Sequence, residues 1–266
     1  MGAAGLAVLM VVFAIAFATI GVLAGRRLLR KQVAAFHNEV VISLFATAGV
    51  VYAVLLGFLV VVVWEAYDTA HRNSAEEAAT VITLYRLTYG MEAAHGAEAR
   101  KFIRAYMDAV IADEWPTMNT AKFGSSKARH AIGRLDLQFS QLSHAQKNSD
   151  AQVDAEFLST KSVIIADRNK RLLQASDRIP WVMWLGAVGG GMIVMLMSFF
   201  IYMEDAWPHV LMASLAAALM GLLLFIMVVL SRPFSGPMAI GPEYFKLAVK
   251  VMDDVDRTLL PRAPPA

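Results

Sequence analysis

From Phe45 to Trp64 the chain reads FATAGVVYAVLLGFLVVVVW, without one charged side chain. At about 1.5 Å per residue such a run crosses the roughly 30 Å hydrocarbon core of a bilayer. Inside hydrocarbon each backbone donor and acceptor must be satisfied within the segment, so the run is committed to a helix. It exits through Glu65, Tyr67 and Asp68 with no Gly or Pro to stop it. The same helix should therefore continue into a polar region.

Three other runs have this character. The spans are read as Ala3 to Gly25, Val40 to Trp64, Trp181 to Met203 and Val210 to Leu230. Charged residues are 17% of the 266 and hydrophobic ones 58%, against about 25% charged in soluble proteins. Mean hydropathy is +0.52, and the charge deficit is confined to segments, which selects a polytopic membrane protein over one large soluble core. The expected fold is all-α, with four transmembrane helices (2 + 2) and a helical extramembrane bundle between spans two and three. Residues 1–64 form the first hairpin, 65–178 the extramembrane domain, 179–230 the second hairpin and 231–266 a tail.

Span one has no positive charge before it and outlasts a signal-peptide core, so it is expected to stay uncleaved. It ends in RRLLRK, where Arg26, Arg27, Arg30 and Lys31 are expected to snorkel to the interface. In the extramembrane stretch apolar positions recur at helical spacing. They are Val81, Leu84, Tyr85 and Thr88 within 75–91, and Phe102, Tyr106, Val110 and Ile111 within 97–115. Beyond the Gly124–Ser126 link come Ile132, Leu135, Phe139 and Leu142, then Val153, Phe157, Ile164 and Leu172 within 150–177. Pro116 is expected to end the second of these helices, with Trp115 capping the bundle core. The link EDAWPH joins spans three and four. The tail opens on turn-rich SRPFSGPMAIGPEYF, after which Pro242 starts an amphipathic helix through Phe245, Val249, Met252, Val255 and Leu259. The terminal PRAPPA is expected to be disordered. The basic residues after span one place the His37 link in the cytoplasm. The acids of the Glu204 link, against Lys170, Arg171, Arg178 and Arg232 at the far ends of its hairpin, argue the reverse.

Several functions are excluded. A net charge of +2 gives no field for nucleic acid. With no cysteine there is no disulfide, thiol catalysis or thiolate metal site. Histidines 37, 71, 95, 130, 144 and 209 make no ligand spacing, and there is no nucleophile elbow or Walker loop. No enzyme activity, catalytic residue, metal or cofactor is expected. The spans hold no internal acidic or basic residue, which argues against proton- or sodium-coupled transport.

Some residues carry two readings. Val50, Val54 and Phe58, spaced by four, share one helix face. They are ordinary packing or lipid-facing residues, or a ring able to dewet a pore. Glu65 and Asp68 lie about one turn apart and could concentrate cations, or Asp68 could simply pair with Arg72 at a solvated boundary. Asn38 suits an N-cap, with Glu39 complementing the helix dipole. Gly186 and Gly190, beside Gly189 and Gly191, form a GxxxG step for close helix packing. Asp167, Arg168, Lys170 and Arg171 read as a solvated face or a contact with anionic head groups.

Leu56-Gly57-Phe58, the aliphatic stretch to Trp64, Glu65 and Tyr67, and Arg232-Pro233-Phe234-Ser235-Gly236 resemble motifs of the bestrophin ion channels. With HNE before span two, VVVVWEAYD at its end and Glu114-Trp115-Pro116, nearly the whole chain resembles the bestrophin-like family of bacterial membrane proteins. The resemblance implies a homo-oligomer, pentameric in bestrophins, in a lipid bilayer, with the second spans around a central pore for inorganic ions. It implies a bacterial inner-membrane location, with the extramembrane domain and both termini cytoplasmic. It maps the pore constriction onto Val50, Val54 and Phe58, and an ion-coordinating ring at the pore mouth onto His37, Asn38 and Glu39, while Glu65 and Asp68, by their charge, would attract ions at the mouth on the other end. One departure matters. Calcium-gated bestrophins carry an acidic cluster after the proline-phenylalanine-glycine step, whereas PMAIGPEYF offers only Glu243. Calcium takes six or more oxygens, so no calcium clasp is expected there. The alternative to a channel is a non-conducting scaffold or sensor whose bundle binds a protein or lipid.

Overall fold

A computed structural model describes residues 2–29, 35–118, 125–145 and 151–259, and every regular element among them is helical. In order these are α1 (Ala3–Leu29), α2 (Ala35–Leu87), a 3-10 turn (Thr88–Gly90), α3 (Ala93–Ala109), a π turn (Val110–Glu114) and α4 (Trp115–Met118). There follow α5 (Ser126–Ala145), α6 (Ala151–Ser176), α7 (Trp181–Trp184), a second π turn (Leu185–Gly189), α8 (Gly190–Phe199), α9 (Ala206–Leu230) and α10 (Glu243–Leu259). Four helical stretches are long and apolar enough to cross a membrane: α1, α2, the α7–α8 stretch and α9.

The chain divides into two compact units, one of Met1–Tyr67 with Arg178–Arg232, the other of Asp68–Asp177 with Pro233–Ala266. α2 contributes to both without a break. In the first unit Tyr52, Leu56, Leu59 and Val63 of α2 bury against Ala187, Val194, Met227 and Leu230. A second cluster joins Ala18 and Val22 of α1 to Met195 and Phe199 of α8 and Ala213 and Ala217 of α9. Phe199 fits because α1 has glycines opposite it. A Cβ on Gly21 would stand 2.1 Å from its ring, and one on Gly25 2.7 Å from its carbonyl oxygen.

The second unit buries Val81, Leu84, Tyr85, Ile103, Met107, Phe157, Ile164, Phe245 and Met252. α10 packs its apolar stripe into this core. The preceding irregular segment contributes Phe234 and Ile240 and turns at Gly236, whose φ of 93° belongs to glycine.

Three boundaries depart from the sequence reading. Helix α2 starts at Ala35, so His37, Asn38 and Glu39 are helical and Asn38 is not an N-cap. Its amide instead donates to the Tyr202 carbonyl and accepts from the Tyr202 N–H, both at 3.0 Å. Span three ends at Phe199, not Met203. Side chains satisfy the released backbone: Asn38 holds Tyr202, and Arg26 donates to the carbonyls of Met203, Glu204 and Asp205 at 2.7–3.2 Å. Arg26 thus braces this link, and α9 begins at Ala206, within the expected link. Nor does Pro116 end a helix. The Val110–Glu114 π turn lies just before it, and the helical course runs on to Met118. A proline has no N–H to donate and crowds the carbonyl four residues back, and the wider turn relieves that conflict. Arg30, Lys31, Gly124, PRAPPA and the side chains of Leu135, Phe139 and Leu142 lie outside the described residues.

Candidate functional site

Helix α2 has two unlike faces in the first unit. One side carries Tyr52, Leu56, Leu59 and Val63, all buried. Val50, Val54 and Phe58 lie away from it and are 65%, 55% and 68% exposed. The chain itself covers none of the three. As a ring around an axis, such an apolar strip would strip water from a narrow passage. Beyond it Glu65 is exposed, as is Glu39 near the start of the helix. His37 lies within α2, and its side chain is outside the described residues. Asp68 is paired with Arg72 at 2.9 Å across one helical turn. In span three, a Cβ on Gly190 would meet the Tyr52 ring at 2.8 Å, whereas one on Gly186 would find only Leu55, at 3.6 Å.

The second unit holds a feature that the sequence reading missed. Arg168 and Arg171, read above as part of a solvated face, are buried, and Arg171 is 0% exposed. Asp167 is buried too and takes the exposed Lys170 at 3.0 Å. Glu77 and Glu114 are also fully buried. Arg171 donates from Nε to Glu77 Oε2 at 2.7 Å, and from Nη2 to Glu77 Oε1 at 3.0 Å and Glu114 Oε1 at 2.8 Å. Arg168 closes onto the other side of the Glu114 carboxylate, which also accepts the Ser125 N–H at 2.9 Å. The Tyr106 hydroxyl donates to Glu77 at 2.6 Å. Two cations and two anions thus neutralise one another, with the carboxylate oxygens bonded. Desolvation makes such charges costly unless paired in this way.

Trp115 sits against this group, with Arg171 5.0 Å from its ring centroid. Its indole N–H donates to the Ile240 carbonyl at 2.9 Å, and its ring meets Phe234 and Phe245 at 5.9 and 5.2 Å. The Glu114-Trp115 pair and Phe234 of the RPFSG motif therefore meet in one core.

A second polar group fastens α10. Asp256 accepts from the hydroxyls of Tyr85 and Tyr89 and from Arg104, which also reaches Asp253 at 2.8 Å. The Arg100 guanidinium lies 4.3 Å from the Tyr89 ring centroid.

These contacts fix an acid response. Burial pushes the Glu114 carboxyl up, but Arg168, Arg171 and the Ser125 N–H outweigh it and hold it below its ordinary value. Burial likewise raises Asp256, and Tyr89, Tyr85 and Arg104 bring it below its own. A carboxyl depressed in the folded state adds stability above its unfolded value and loses it as pH falls through the folded one. The extramembrane unit should hold constant stability from pH 7 to about 5 and weaken steadily below about pH 4. Denaturant unfolding at stepped pH measures this. Equal stability at pH 7 and pH 3 would contradict it.

Among the described residues no three His, Asp or Glu side chains are grouped to hold a metal ion. Glu243 is exposed and pairs with Lys246 at 3.1 Å.

Comparison with known proteins places these features. A family model described as Bestrophin-like domain matches residues 12–245. The fold matches a crystal structure of a bacterial bestrophin homolog from Klebsiella pneumoniae with a TM-score of 0.72 at 12% identity, over 96% of this chain and 99% of that one. A point variant of that homolog matches at 0.68 and 14% identity, again over 96% and 99%. No curated protein matches the chain.

Proposed function

The chain belongs to the Bestrophin-like family, and from that premise we propose that it is an oligomeric membrane ion channel whose pore is lined by α2. The observation that carries the reading is the strip of Val50, Val54 and Phe58, uncovered by the rest of the chain while the opposite side of α2 is buried. Copies arranged about an axis, five by family resemblance, would bring these strips together as an apolar constriction. Glu65, exposed beyond the strip, would form a carboxylate ring that favours cations, with Glu39 and His37 toward the other end. Asp68 would add less, because Arg72 already offsets its charge. The helical region between the two hairpins would form a vestibule. The protein would lie in the bacterial inner membrane, with this region and both termini in the cytoplasm.

Cryo-electron microscopy of the purified protein tests the arrangement, and ion flux into protein-containing liposomes tests conduction. The expected result is a cyclic ring with α2 nearest the axis and flux above that of empty vesicles. A ring with α2 facing lipid, or no flux, would sink the reading and leave a scaffold or sensor.

A further inference from the structure

Tyr52 makes a directional contact between α2 and span three. Its neighbours on the buried side of α2 are Leu56, Leu59 and Val63, whose apolar contacts carry no hydrogen-bond direction. The Tyr52 hydroxyl donates to the Ala187 carbonyl at 2.9 Å. Ala187 sits in the Leu185–Gly189 π turn, one of the local irregularities that recur at functional positions in helices. Just beyond that turn the helix surface is cut away by two glycines. A Cβ on Gly190 would stand 2.8 Å from Tyr52 Cδ2, and one on Gly191 2.7 Å from the Tyr52 hydroxyl. The ring therefore occupies a slot that no other residue type at these two positions leaves open. At about 100° per residue, Tyr52 stands roughly 160° round the helix from both Val50 and Val54.

We propose that the slot made by Gly190, Gly191 and the Ala187 carbonyl fixes the rotation of α2 through Tyr52, and so sets which side chains face the pore. Tyr52 is a positioning residue: it touches no ion and acts through Val50, Val54 and Phe58. This rests on the pore reading of α2, but the seat itself is a contact within one chain and is tested separately.

The chain has no cysteine, so a single introduced thiol reports alone. Leu56→Cys marks the buried side of α2 and Val54→Cys the uncovered side. Each is placed in the otherwise unaltered full-length protein, with Gly191→Ala, with Tyr52→Phe and with both changes, and labelled in liposomes by a membrane-permeant maleimide. Gly191→Ala forces the Tyr52 hydroxyl out of the slot. Labelling at Leu56→Cys should rise severalfold, and the Val54→Cys rate should move the opposite way. Tyr52→Phe deletes the atom with which the new methyl collides, so the double variant should return both rates toward those of the parent. A general loosening of the fold would raise both rates together and would not be rescued by a second change. If Gly191→Ala alone does not fold, recovery of folded protein in the Tyr52→Phe/Gly191→Ala pair carries the same meaning. Unchanged labelling in Gly191→Ala, or a double variant as impaired as the single one, overturns the seat. Flux is read in parallel: a reciprocal labelling shift with unaltered flux keeps the seat and removes the pore role of α2.

Discussion

Replacing Arg171 by methionine is expected to cost the extramembrane unit about 3–5 kcal/mol. The variant keeps most of the side-chain volume but leaves Glu77 with no cation and only the Tyr106 hydroxyl, and Glu114 with Arg168 as its one cation beside the Ser125 N–H. A buried carboxylate stripped of its partner retains its full desolvation cost, and that is the source of the magnitude. Chemical unfolding of the purified protein, followed by tryptophan fluorescence, measures it, since Trp115 stacks on the Arg171 guanidinium. Replacing Glu77, Glu114, Arg168 and Arg171 together by apolar residues should cost less than the single change, because no charge is left stranded. An Arg171→Met loss below about 1 kcal/mol would mean that water reaches the group.

The second large effect is on conduction. Phe58 is the bulkiest side chain of the uncovered strip and 68% exposed. In the proposed ring of α2 helices its truncation would widen the apolar constriction and let water persist there. Flux through Phe58→Ala in liposomes should rise about tenfold, equivalent to about 1.4 kcal/mol off the barrier to permeation. Phe13→Ala on α1 is the control. It removes the same ring from a side chain 73% exposed on another span and should leave flux unchanged. Parental flux in Phe58→Ala would count heavily against a constriction there.

The four spans and the helical class could be read from the sequence because hydrocarbon leaves the backbone no alternative. The unbroken course of α2 followed from the absence of a stop signal after Trp64. The Asp68–Arg72 pair followed from spacing alone. What escaped were contacts between residues far apart in the chain. Arg171 meets Glu77 across 94 residues and Glu114 across 57, and no local pattern announces such partners. A signal was nevertheless present. Phe157, Lys161, Ile164, Arg168 and Arg171 follow a 4-3-4-3 spacing on α6, which puts both arginines on its apolar seam. Glu114 continues the Ile103, Met107, Val110 stripe in the same way. A charged residue in register with a buried stripe is a candidate for a buried pair, and treating the run 167–171 as one solvated face hid that register. The early end of span three was illegible for a related reason, since Asn38 and Arg26 hold its exit from about 165 to 180 residues away.

These separations also set an order of events at the ribosome. The second unit draws on Asp68–Asp177 and on the chain from Pro233 onward, with the second hairpin encoded between them. At about 5–20 residues per second, Glu77 emerges roughly 5–20 s before Arg171 can neutralise it. Tyr85 must wait for Asp256 through a further 171 residues of translation. The extramembrane helices thus cannot complete their packing until both later spans have been synthesised. A nascent chain halted after Asp177 would expose the unfilled seat of Phe234 and Phe245 to chaperones and proteases. Burial of Phe234 and Phe245 in the second unit therefore comes after synthesis of both later spans.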